Sequence, residues 1–152
     1  MSAAKHIATA ALLASVAGHA GAACNVSGVG IAFGPYDPLS GFGTAVSGSL
    51  TVTCDQSPAP AVAIMIGPSR ISGSFFPRRM RHSNGQATLA YNLFIDPQTS
   101  TVWGDGSVGT AARADRVERG KPWVVTIYGR IAGNQDVPEG VYSDSVAISV
   151  NF

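Results

Sequence analysis

Few side chains in this sequence have types and spacing suited to chemistry. Histidine occurs at His6, His19 and His82, and cysteine at Cys24 and Cys54. A Ser-His-Asp or Cys-His site would have to be built on His82, which sits in Arg78-Arg79-Met80-Arg81-His82-Ser83-Asn84-Gly85, a stretch that reads as a solvated loop. Asp37, Asp55, Asp96, Asp105, Asp115, Glu118, Asp136, Glu139 and Asp144 are scattered, mostly beside glycine or proline, where carboxylates cap backbone N–H groups in turns. Asp105 in Trp103-Gly104-Asp105-Gly106 could hold an ion, but one carboxylate in a turn is more often structural. No paired carboxylates, metal-ligand cluster or cofactor motif stands out, so the expectation is a protein that is not an enzyme and needs no metal or cofactor. Arg78, Arg79 and Arg81, with Trp103, form a candidate surface-binding patch for phosphate or an acidic glycan. Three charges without interleaved aromatics are a weak signal for it.

The elements that must carry these residues begin with a leader. Met1 to His6 holds one or two basic residues, Ile7 through Ala17 is apolar or small and uncharged, and Gly18 to Ala23 offers small-x-small cleavage after Ala20, Ala22 or Ala23. That is a signal peptide over residues 1–23, too short to span a bilayer. The mature domain is then 24–152, exported, with no membrane span after cleavage. Cys24 and Cys54, an even count in an exported chain, are expected to form a disulfide worth about 3 to 4 kcal/mol in the chain-entropy picture. A net charge of +1 is not that of a nucleic-acid binder.

No mature stretch keeps apolar residues at helical spacing for three turns, whereas several alternate with period two. At the C-terminal end Tyr142, Val146, Ile148, Val150 and Phe152 share one side, broken only by Asp144. Trp123, Val125, Ile127 and Ile131 alternate with Val124, Thr126, Tyr128 and Arg130. Leu50 to Cys54, Ala61 to Ile66, Thr88 to Ile95 and Val29-Ile31-Phe33 make up a set of about six strands, separated by turn signals such as Gly34-Pro35, Asn84-Gly85 and Pro138-Glu139-Gly140. The stretch Gly109 to Lys121 is polar and could hold one helical turn. An all-β, two-sheet sandwich follows.

Several segments in order resemble the spore coat protein U family, which includes pilin subunits of archaic, Csu-type chaperone-usher systems. They are Cys24, Phe33-Gly34-Pro35-Tyr36-Asp37-Pro38, Gly48-Ser49-Leu50-Thr51-Val52-Thr53-Cys54, Tyr91-Asn92-Leu93-Phe94-Ile95-Asp96, Thr101-Val102-Trp103-Gly104-Asp105-Gly106, Tyr128-Gly129-Arg130-Ile131, Gln135, and Gly140-Val141-Tyr142-Ser143-Asp144-Ser145-Val146 leading to Phe152. The resemblance covers essentially Cys24 to Phe152.

It implies an immunoglobulin-like β-sandwich lacking its last strand, completed by donor-strand complementation. A periplasmic chaperone fills the groove first, and the N-terminal extension of another pilin subunit fills it in a fibre assembled through an outer-membrane usher. On that reading Tyr142, Val146, Ile148, Val150 and Phe152 border the groove, and Cys24–Cys54 secures the first strand to the second. The expected function is a structural subunit of a secreted surface fibre acting in adhesion or biofilm formation. Cleavage beside Cys24 leaves no donor segment, which suits a tip or capping position. The alternatives are a stand-alone secreted ligand- or glycan-binding sandwich, using Arg78 to His82 and Trp103 on exposed loops, and a spore coat protein.

Overall fold

A computed structural model describes residues 6–9, 24–28 and 30–152. Among the described residues there are strands and turns and no helix. The strands are β1 (His6–Thr9), β2 (Cys24–Gly28), β3 (Ala32–Tyr36), β4 (Thr44–Cys54), β5 (Ala61–Ile66), β6 (Arg78–His82), β7 (Thr88–Phe94), β8 (Arg113–Arg116), β9 (Trp123–Ile131), β10 (Val141–Ser143) and β11 (Ile148–Asn151). They form one sheet in the order β2-β4-β9-β7-β6-β10-β1-β3 and a second in the order β11-β5-β8. Because β3, at one end of the first order, packs against β4 and β9 near the other end, the large sheet curls around the core.

Alternation drives this arrangement. In β9, Val125, Ile127 and Ile131 are buried while Val124 and Arg130 are exposed, and in β7 Leu89, Tyr91 and Leu93 are buried between half-buried neighbours. β5 adds Val62, Ile64 and Ile66 from the smaller sheet. Each such fully buried aliphatic side chain contributes about 1.5–3 kcal/mol relative to exposure. β2 and β4 pair with Cys24 level with Cys54, and the disulfide joins those two residues.

The strands expected near Leu50–Cys54, Ala61–Ile66, Thr88–Ile95 and Trp123–Ile131 are present, the first as the end of a longer β4. Two further strands come from segments with no apolar alternation. Arg78 to His82, expected as a solvated loop, is β6, with Arg78 and Met80 turned inward and fully buried. Part of the polar stretch Gly109–Lys121 is β8, a four-residue strand exposed along its length. Its backbone pairing with β5 holds it in place, so its side chains carry no buried pattern. The C-terminal strand is interrupted after Ser143 and resumes as β11. Phe152, expected on the core face, lies beyond β11 and is exposed. Val29 lies outside the described residues, as do residues 10–23 of the expected leader.

Candidate functional site

A slot in the large sheet is the most unusual feature of the fold. β3 pairs antiparallel with β1 (Ile7 level with Pro35, Ala8 with Gly34), and β10 pairs parallel with β1 (Ile7 level with Val141, Ala8 with Tyr142). Among the described residues β3 has no other strand partner, and β10 has only β6 on its far side. The last two strands of the curled sheet are therefore joined through four residues that the sequence assigns to a cleavable leader. Pro35, which has no N–H to give a ladder, suits such an edge. Past Ser143 the same chain continues into β11, which pairs with β5 and is the terminal strand of the smaller sheet. Among the described residues β11 has no strand partner besides β5.

The walls and floor come from different strands. On the β3 side, Phe33 and Tyr36 are buried. The Tyr36 hydroxyl donates to the Ala132 carbonyl (3.0 Å) and accepts from the Gln135 N–H (2.9 Å), which fixes this wall to the end of β9. On the β10 side Tyr142 is buried, donates to the Pro138 carbonyl (2.7 Å) and meets the His82 ring edge to face at 5.1 Å. His82 is half-buried at the end of β6 rather than free in a loop. Its Nδ1 accepts from the Asn84 N–H (3.0 Å), so the ring proton belongs on Nε2, which donates to the Glu139 carbonyl (2.9 Å).

The floor is Tyr91. Phe33 packs on it edge to face at 5.7 Å, and its hydroxyl donates to Asp144 Oδ2 at 2.7 Å. Tyr91 therefore reaches from the β3 wall to the β10 wall beneath the slot. Burial, then the negative charge of Asp144, pushes the Tyr91 hydroxyl far above the ordinary tyrosine range. Asp144 is 5% exposed, and its second oxygen, Oδ1, is buried with no hydrogen-bond partner among the described residues. Nearby, Arg78 donates to the carbonyls of Ile66 (3.2 Å), Gly67 (2.8 Å) and Trp103 (2.7 Å) and to Asn92 Oδ1 (2.7 Å), over the face of Phe75. Burial lowers its pKa to about 10, against the pull of Tyr91 and Asp144, which leaves it a cation at neutral pH. The guanidinium ties β6 to β5 and to the Trp103 turn, so carbonyl dipoles rather than a carboxylate solvate it.

Of the residues expected at the groove, Tyr142, Val146 and Ile148 are buried in the core and Val150 packs against it, whereas Phe152 does not. The proposed surface patch does not assemble. Arg78 and Trp103 are each 0% exposed, Trp103 donating through Nε1 to the Ile64 carbonyl, while Arg79 is half-buried on Thr88 Oγ1 and Arg81 is exposed. The reason is that Arg78 occupies an inward position of a strand, where its head is satisfied by carbonyl groups. The Asp105 carboxylate accepts from the Ser107 hydroxyl and N–H, and those bonds, the hydroxyl's first, hold it below the usual carboxylate range. The Tyr91–Asp144 pair was not anticipated. Its one signal was Asp144 interrupting an otherwise apolar side.

A family model described as Spore Coat Protein U domain matches residues 8–149, beginning inside the segment read as a leader. Protein U of Myxococcus xanthus is 33% identical over 144 residues, covering 87% of this chain and 79% of that protein. Among solved structures, the CsuC-CsuE chaperone-tip adhesion subunit pre-assembly complex from archaic chaperone-usher Csu pili of Acinetobacter baumannii superposes with a TM-score of 0.58 at 17% identity, over 85% of this chain. The chain spans 39% of the length of the chain it matches there. The minor tip subunit HdaB of the E. coli Hda pilus gives a TM-score of 0.42 at 14% identity, over 82% of this chain and 78% of that one. The fold is the all-β, immunoglobulin-like sandwich that the resemblance implied.

Proposed function

The chain belongs to the Spore Coat Protein U domain family, and we propose that it is an exported structural subunit of a chaperone-usher surface fibre that accepts a donated β-strand between β3 and β10. The observation that carries this reading is the order β10-β1-β3, in which two strands of the large sheet meet only through a segment from outside the 24–152 domain. Removal of residues 1–23 leaves β3 without its described strand partner and β10 paired on its β6 side alone, a state that an extended segment from another chain can relieve. Four large apolar side chains placed in the slot would contribute on the order of 6 to 12 kcal/mol, comparable with the whole stability of a small domain. The partners on this reading are a periplasmic chaperone, other pilin subunits and an outer-membrane usher. A leader cleaved beside Cys24 leaves the subunit receiving a strand with none ahead of the disulfide to give, as a tip or cap in an adhesive fibre requires.

Periplasmic expression with and without the neighbouring chaperone tests this. The expected result is a stoichiometric complex on size exclusion, with aggregation or proteolysis of the chain made alone. A stable, soluble monomer indifferent to the chaperone, with residues 1–23 absent by N-terminal sequencing, overturns it. The burial of Arg78 and Trp103 removes the basis for the stand-alone ligand-binding reading in which those residues form an exposed patch.

A further inference from the structure

Asp144 occupies a position where an apolar strand would carry another Val or Ile. It follows the inward series Tyr142, Asp144, Val146, Ile148, all buried. One of its oxygens is engaged by Tyr91 and the other is buried and unpartnered. A carboxylate oxygen held away from water without a donor is costly, and proteins retain such groups only where something satisfies them. Tyr91 lies under the slot between Phe33 on one wall and Asp144 on the other, which puts the buried carboxylate at the base of the β10 wall, beside the space that an incoming strand's inward side chains enter.

Resting on the reading of the slot as a strand acceptor, we infer that Asp144 is its specificity-determining residue, selecting a partner strand that presents a hydroxyl side chain, Thr or Ser, level with it. The register supports one such position. A residue level with Tyr142, the position Ala8 holds in the register, takes the inward face because neighbours in register share a face of the sheet, and extending that parallel register two places past the paired residues puts the next inward one level with Asp144. Opposite the first of these sits Gly34, which has no side chain to compete for that place, so a large apolar residue suits it. The preferred donor strand thus reads large apolar, any residue, Thr or Ser along this stretch, where a uniformly apolar strand would leave the carboxylate oxygen orphaned. An incoming hydroxyl donates to Oδ1 while Tyr91 keeps Oδ2, giving both oxygens partners without a second charge in the core.

The test is a walk of a single Thr along an otherwise Val-alternating synthetic strand, with each peptide titrated against the exported chain and dissociation constants read by fluorescence anisotropy. Thr and Val have nearly the same shape, so the comparison isolates the hydroxyl. One position in the walk is expected to bind about tenfold tighter than the all-Val peptide, the size expected for satisfying a buried charged acceptor. That gain disappears in Asp144→Leu, for which Val becomes the better residue. If the all-Val peptide binds and no Thr position improves on it, the selectivity inference is overturned while the acceptor reading stands. If no peptide binds at all, both fall. Should Asp144→Leu not fold, the walk on the wild-type chain alone decides between these outcomes.

Discussion

Replacing Tyr91 by Phe tests the polar floor of the slot most directly, because it removes one oxygen and keeps the ring on which Phe33 packs. The hydroxyl lost donates at 2.7 Å to Asp144 Oδ2, between residues that are 3% and 5% exposed. With Oδ1 already unpartnered, the substitution leaves the buried carboxylate with no hydrogen bond. Stranding a buried charged acceptor costs about 3 kcal/mol, which for a domain near this size lowers Tm by about 10 °C. The assay is thermal unfolding of the full chain by circular dichroism, run also on Asp144→Leu and on the double variant. The double variant is expected to lose less than the sum of the singles, since removing both partners leaves nothing stranded. The same residue sets an alkaline limit. Its folded-state pKa is raised above the unfolded value near 10, so its contribution is fully present below about pH 10 and is lost as pH rises beyond that. The wild type should therefore lose stability above pH 10 more steeply than Tyr91→Phe. A Tm for Tyr91→Phe within about 2 °C of wild type, or strictly additive single effects, would refute the reasoning.

Three other perturbations follow from the same geometry. A Cβ at Gly140 would fall 2.0 Å from His82 Nε2, so Gly140→Ala breaks the ring's bond to the Glu139 carbonyl. Amide exchange is expected to quicken at Ser83, whose N–H donates to Val141, while β5 is unaffected; unchanged protection at Ser83 counts against a His82 latch on β10. A Cβ at Gly129 would meet the Phe33 ring at 2.9 Å, so Gly129→Ala pushes the β3 wall and costs about 1–3 kcal/mol, read as a lower denaturation midpoint. A midpoint equal to wild type would mean that the wall yields freely. Cys24→Ala with Cys54→Ala removes a bridge spanning 30 residues, and the expected loss of about 3 to 4 kcal/mol appears in urea melts as a lower midpoint for the reduced than the oxidised wild-type chain, with no such difference in the double variant. Equal midpoints for reduced and oxidised wild-type chain would argue against that role.

The strands that were legible in the sequence are those whose burial is apolar and periodic. Val125, Ile127 and Ile131 in β9 and Leu89, Tyr91 and Leu93 in β7 announce both their conformation and their inward face. β6 was not legible because one of its two inward residues is Arg78, and the distant carbonyls of Ile66, Gly67 and Trp103, with Asn92 Oδ1, make that burial tolerable. Those partners come together through the fold and leave no mark on local periodicity. The groove was expected only through the family resemblance, since which strands lie beside β3 and β10 is set by the fold and a single strand's pattern cannot report a missing neighbour. Asp144 was the exception, a charged residue breaking an apolar side, and it proved to be buried against the Tyr91 hydroxyl.

How the free edges are treated separates the slot from the rest of the surface. The outer edge of the smaller sheet is β8, four residues long and carrying Arg113, Asp115 and Arg116, all exposed, which is how proteins discourage a further strand from adding. At the other end of that sheet β11 offers Ser149 and Asn151 outward, and no charge guards its free edge. β10 likewise shows Val141 and Ser143. β3 bears Pro35, which withholds one N–H without adding charge, so it limits the ladder on that side and leaves β10 as the fuller hydrogen-bonding wall. A chain selected only to remain soluble would protect all of these edges in the same way. Here the charges lie on β8, and β10 and β11 themselves carry none. The segment between those two strands holds Asp144, the one inward position where an apolar filler of any sequence would leave an unpartnered oxygen behind. On the proposed reading, the unguarded edges would admit a strand and the polar group beneath them would discriminate among strands.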